Sequence, residues 1–107
     1  MEKSQESIQK LQALEQNMQQ LELQKQQLSA QLMEVENAIK ELESLPETYK
    51  IVSNIMVKTD PNVVKSDLTE RQEQFKRHIS LLEKQEKKLS DKTEELRQEV
   101  LGKLKKE

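Results

Sequence analysis

The 107-residue chain has no cysteine, no tryptophan, one glycine, two prolines and 2% aromatic residues. Each scarcity excludes something. Without cysteine there is no disulfide framework and no thiolate metal site. A single glycine cannot supply a glycine-rich phosphate loop. Few aromatics leave little with which to fill an ordinary globular core. The longest uninterrupted apolar run is Ile55-Met56-Val57, far short of the stretch that spans a bilayer. The first residues, Met1 to Gln5, lead into no apolar h-region, so no secretory signal is expected. Net charge is −2 with acids and bases interspersed. No basic block or basic–aromatic interleaving points to nucleic acid. No membrane partner and no cofactor are expected, and a reducing, cytoplasmic setting fits the missing cysteine.

What is present is charge, 36% of residues, ordered by a seven-residue repeat. With Leu11 at heptad position a, the a and d positions are Leu11, Leu14, Met18, Leu21, Lys25, Leu28, Leu32, Val35, Ile39 and Leu42. All but Lys25 are apolar. That narrow stripe is the seam of a coiled coil rather than the broad face of a globular helix. A helix from about Ser4 to Leu45 is expected, roughly 60 Å long. Pro46 should stop it, because proline disfavours helical geometry in the residue before it.

A second repeat has d positions Leu68, Phe75, Leu82, Leu89 and Leu96, and a positions Gln72, Ile79, Glu86, Thr93 and Val100. This seam is half polar. Asp67 with Glu70 three residues on resembles a helix-start arrangement, so the second helix is read as 67–106. Gly102 is read as a point of fraying.

Between the repeats the pattern changes. Thr48-Tyr49-Lys50-Ile51-Val52 and Ile55-Met56-Val57-Lys58 are rich in β-branched residues and flank Ser53-Asn54. A β-hairpin is expected there, with Val52 facing Ile55 and Ile51 facing Met56. Asn54 suits the positive φ of a two-residue turn, and Ser53 is unusual in it. Asp60-Pro61-Asn62 reads as a further turn.

The fold class is thus mainly α: a long antiparallel two-helix coiled coil with a β-hairpin at the bend. The chain is read as one unit, with 4–45 as first helix, 46–66 as hairpin and connector, and 67–106 as second helix. In this packing Lys25 falls within about one layer of Glu86, and the two are expected to meet and hold the register. The plainer alternative is that both side chains snorkel outward. An isolated hairpin is marginal in water, and its open edges invite further strands. Oligomerisation through Tyr49, Ile51, Val52, Ile55, Met56 and Val57 is therefore expected. Folding back of the hairpin on its own coil is the alternative.

No catalytic constellation appears. His78 sits beside Arg77 at a flanking position and reads as a solvated helix residue. Carboxylate–lysine pairs such as Glu83–Lys87 read as helix-surface support. Tyr49 is expected to pack in the hairpin or its interface. Apolar residues also gather near both chain ends, Ile8 on the first helix and Leu101 and Leu104 on the second. With Leu11 and Met18 they form either an adaptable partner surface or a frayed coil end.

The segment Tyr49 to Lys58, followed by a helix carrying Arg71, Phe75, Ile79, Glu83 and Gln85-Glu86, resembles the β-type subunits of prefoldin, and among eukaryotic members the subunit 6 group. The resemblance covers nearly the whole chain and is most specific at the hairpin. The α-type members carry two hairpins and a longer insert. Members usually have Gly-Asn or Gly-Pro where this chain has Ser53-Asn54, which leaves the turn type open. The resemblance implies a heterohexamer of two α-type and four β-type subunits, with hairpins joined in an intersubunit β-barrel. It also implies ATP-independent holding of non-native client proteins at coiled-coil tips and delivery to a group II chaperonin. Tyr49, Ile51, Val52, Ile55, Met56 and Val57 match the barrel strands. Ile8, Leu11, Leu101 and Leu104 match the tip by position. A structural scaffold or tethering subunit with a fixed folded partner is the alternative function, and an enzyme is not expected.

Overall fold

The structure, a computed structural model, describes residues 2–45 and 47–106, with side chains described over 5–45 and 47–103. Four elements follow in order: α1 (Glu2–Leu42), β1 (Thr48–Val52), β2 (Ile55–Thr59) and α2 (Pro61–Lys106). The chain forms two compact units. One comprises Met1–Gln26 and Ser80–Glu107, the other Gln27–Ile79. Both helices contribute to each unit.

In the first unit the helices run antiparallel. Met18 meets Thr93 and Lys25 meets Glu86, so an advance of seven residues along α1 is a retreat of seven along α2. The heptad seam accounts for the burial: Leu82 (4% exposed), Thr93 and Val100 are the deepest positions of α2 here. Thr93 tolerates its place because its hydroxyl donates to the Leu89 carbonyl at 2.7 Å, which satisfies a polar group that would otherwise be buried at a cost. The α1 stripe continues one d position beyond the apolar residues, to the buried Ser7.

In the second unit the hairpin sits between the end of α1 and the start of α2. Its strands pair antiparallel in the expected register, with Val52 opposite Ile55, Ile51 opposite Met56, and Thr48 opposite Thr59. The buried Thr48 hydroxyl donates to the Thr59 carbonyl at 2.5 Å and closes the open end of the ribbon.

Three local readings are corrected. The positive φ of the turn falls on Ser53 (57°), and Asn54 does not share it. A positive first residue followed by a negative second is the sign pattern of a type II′ turn, which favours glycine first. Ser53 carries a Cβ in the left-handed region, which costs about 1–2 kcal/mol in an L-residue. Ser53→Gly is expected to raise stability by about 0.5–1 kcal/mol, since glycine's greater unfolded-state entropy offsets part of the gain. The check is a higher denaturant midpoint; an unchanged or lower one contradicts this account.

The second helix begins at Pro61, not Asp67. Asp60 caps it: its Oδ1 accepts from the Asn62 N–H at 2.9 Å, and its carbonyl accepts from Val63 and Val64 at 3.0 and 3.2 Å. Proline at the first helical position lacks only an N–H that would have no partner there. Asp-Pro-Asn is therefore a helix start, and Val63 and Val64 belong to the helix. Asp67 and Glu70 lie inside it, where no free amide awaits a cap.

The first helix ends at Leu42, earlier than expected. Ser44 and Leu45 fold back as tight turns, with their N–H groups on the Glu41 and Leu42 carbonyls at 3.1 and 3.4 Å. The Ser44 hydroxyl also donates to the Glu41 carbonyl at 3.0 Å, competing for acceptors the helix would use. Pro46, the expected stop, lies outside the described residues. Gly102 lies within α2, which runs to Lys106.

Candidate assembly and client-binding surfaces

The hairpin presents apolar side chains to solvent. Ile51 is 70% exposed, Ile55 and Met56 66% each, and Tyr49, Val52 and Val57 about half. Strand alternation divides these residues. Val52, Ile55 and Val57 share one face with Lys50; Tyr49, Ile51 and Met56 share the other with Lys58. Tyr49 and Met56 line an open cleft of about 350 Å³ with Leu42, Leu45, Val64 and Leu68.

Polar contacts tie the base of the ribbon. The Tyr49 hydroxyl donates to Glu47 Oε2 at 2.6 Å, and Lys58 Nζ lies 3.7 Å from Glu47 Oε1. The Glu47 hydrogen bond, with some desolvation, raises the Tyr49 pKa above its ordinary value. Lys50 Nζ is 4.0 Å from Asp67. These pairs are exposed and each contributes little.

At the helix ends that carry the chain termini, Ile8 (38% exposed) and Leu101 (48%) lie off the seam and face solvent. Leu11 is different: it is a half-buried seam residue. The side chain of Leu104 lies outside the described residues. Sequence reading missed other exposed apolar residues, Leu23, Met33 and Leu81, which fall on outward heptad positions and carry no periodic signal.

Lys25 and Glu86 meet within the seam. Lys25 Nζ is 3.1 Å from Glu86 Oε1 and donates to Oε2 at 3.3 Å, with Glu22 Oε2 also at 3.3 Å. Glu86 Oε1 is buried and lies outside hydrogen-bonding geometry. The Lys25 pKa is raised, first by the hydrogen bond to Glu86 and then by that to Glu22. A lysine whose folded pKa exceeds its unfolded value, about 10.4, adds stability that is complete below that pH. The contribution is lost as pH rises through the folded value. Thermal stability is therefore expected to fall above about pH 10.4, less steeply in the double variant Lys25→Met, Glu86→Leu. Melting curves across alkaline pH test this; equal slopes in both proteins would remove Lys25 as the cause.

Among the described residues no group of carboxylates and histidine has metal-site geometry, and no helix is long and apolar enough to cross a membrane. His78 is exposed.

A family model described as prefoldin subunit matches residues 5–107. The crystal structure of the prefoldin beta subunit from Thermococcus strain KS-1 superposes with a TM-score of 0.90 at 33% sequence identity, covering 95% of this chain and 92% of that one. A comparison with curated proteins gives no match. The chain belongs to the prefoldin family and has the fold of its β-type subunits. That family is one of chaperones rather than enzymes, and its members form hetero-oligomers with one another.

Proposed function

We propose that this chain is a subunit of an ATP-independent holdase in the cytoplasm. Its hairpin joins those of α-type and β-type prefoldin subunits in a heterohexamer. The helix ends around Ile8, Leu11, Leu101 and Leu104 hold non-native proteins and pass them to a group II chaperonin. The observation that carries this reading is the pairing of an exposed apolar hairpin with off-seam apolar side chains, Ile8 and Leu101, at the other end of the helix sequence. Each tip contact is small, and several tips acting on one client multiply through effective concentration.

The test separates holding from assembly. Ile8→Asp with Leu101→Asp, in the complex with its partner subunits, is expected to raise the concentration needed to suppress client aggregation by about threefold or more. Light scattering should report an unchanged particle mass. Undiminished suppression overturns the tip reading. A scaffold subunit with a fixed folded partner would instead retain a stable homodimer through its helices after the hairpin is disabled.

A further inference from the structure

Sulfur chemistry in this chain is confined to four methionines, because cysteine is absent. The structure sorts three of them. Met18 lies half-buried in the helix seam, and its sulfur accepts the Thr93 hydroxyl at 3.8 Å. Met33 is 64% exposed on α1, and Met56 is 66% exposed on β2. Oxidation by peroxide follows exposure. Met33 and Met56 are therefore open to it, and Met18 is sheltered.

The surroundings of Met56 give oxidation there a consequence. Met56 shares its strand face with Tyr49, Ile51 and Lys58, and it borders the open cleft of Leu42, Leu45, Val64 and Leu68. Strands added from another subunit would remove water from this face. A sulfoxide puts a polar S=O where the thioether was apolar, and a polar group loses free energy when it is dried without a donor. Both side-chain donors on the face are already engaged. The Tyr49 hydroxyl donates to Glu47 Oε2 at 2.6 Å, and Lys58 Nζ lies 3.7 Å from Glu47 Oε1. The chain's own fold asks little of this side chain, since the pairing of Met56 with Ile51 is made by the backbone. Oxidation should therefore act on assembly and spare the folded subunit.

We propose that Met56 is a site of reversible oxidation that sets whether the hairpin can join partner subunits. The proposal rests on the assembly role given to the hairpin above. Hydrogen peroxide acts on the free subunit. The sulfur lone pair attacks one peroxide oxygen and the O–O bond breaks. That oxygen stays on sulfur as S=O, and the other leaves as water. Sulfur loses two electrons and the peroxide gains them. A thiol-dependent sulfoxide reductase reverses the change, releasing the oxygen as water and forming a disulfide from its thiols. Oxidation and assembly exclude each other: a covered Met56 is shielded, and an oxidised one resists being covered.

The experiment treats the full chain with hydrogen peroxide and follows each methionine by peptide mass mapping. Sulfoxide is expected to form at similar rates on Met33 and Met56, and about threefold or more slowly on Met18. Assembly of the treated chain with an α-type partner subunit is then titrated by light scattering. The oxidised parent should bind about tenfold or more weakly than the untreated chain, with its helical circular dichroism unchanged. Met56→Leu treated in the same way should stay within about twofold of its untreated form. Treated Met33→Leu should lose as much affinity as the parent, and sulfoxide reductase should restore the parent. Undiminished affinity of a chain carrying Met56 sulfoxide, or an equal loss in treated Met56→Leu, overturns the proposal while the assembly role stands. An untreated chain that joins no partner overturns the assembly role and this site with it.

Discussion

Ile55→Asp combined with Val57→Asp is expected to abolish assembly with partner subunits while the helices stay folded. Both residues lie on one face of the hairpin and are 66% and 45% exposed in the single chain, so the chain's own fold depends little on them. If partner strands cover that face, each side chain contributes about 1.5–3 kcal/mol of burial. A carboxylate in its place adds the cost of an unpaired buried charge. Together these changes exceed about 5 kcal/mol, a loss of more than roughly 10³-fold in affinity. Light scattering or native mass spectrometry of the mixed subunits should find the variant unassembled, with its helical circular dichroism retained. A complex of undiminished mass would show that the hairpin is not the joint. A persistent homodimer would favour the scaffold reading.

Leu82→Ala is expected to give the largest loss of stability from a single substitution. Leu82 is 4% exposed, the most buried large apolar side chain described, in a seam where most neighbours are only half covered. Truncating a buried leucine costs about 2–5 kcal/mol in transfer and cavity terms. A small domain has about 5–15 kcal/mol in all, so one methyl-for-isobutyl exchange takes a large share of it. Leu81→Ala provides the internal control. Leu81 is 57% exposed, and its loss should change stability by less than about 0.5 kcal/mol. Thermal unfolding followed by circular dichroism compares the two. Similar melting temperatures would mean that the seam does not carry the stability.

Local pattern carried most of the fold. The 3-4 spacing from Leu11 to Leu42 and from Leu68 to Leu96 specifies helices with one narrow apolar stripe, and the β-branched run around Ser53-Asn54 specifies a hairpin whose register follows from a two-residue turn. Readings that rested on a residue with two conformational uses fared worse. Asp60-Pro61 suits a turn or a capped helix start equally well, and the amides of Asn62, Val63 and Val64, which all donate to Asp60, decided for the cap. Asn54 tolerates positive φ better than Ser53, yet the strained position is the first of the turn, because the right-handed twist of the strands selects which residue must adopt it.

The sequence by itself determined that this chain forms two seamed helices around a β-hairpin rich in apolar residues, since heptad periodicity and strand alternation are read within a few residues of each position. Only the tertiary structure decided which side chains face each other across the helices. Arg97 meets Glu15, and Thr93 meets Met18. Those outcomes depend on the relative stagger of segments some sixty or more residues apart. The repeat tolerates several such staggers, and side-chain packing and charge pairing between the helices select one.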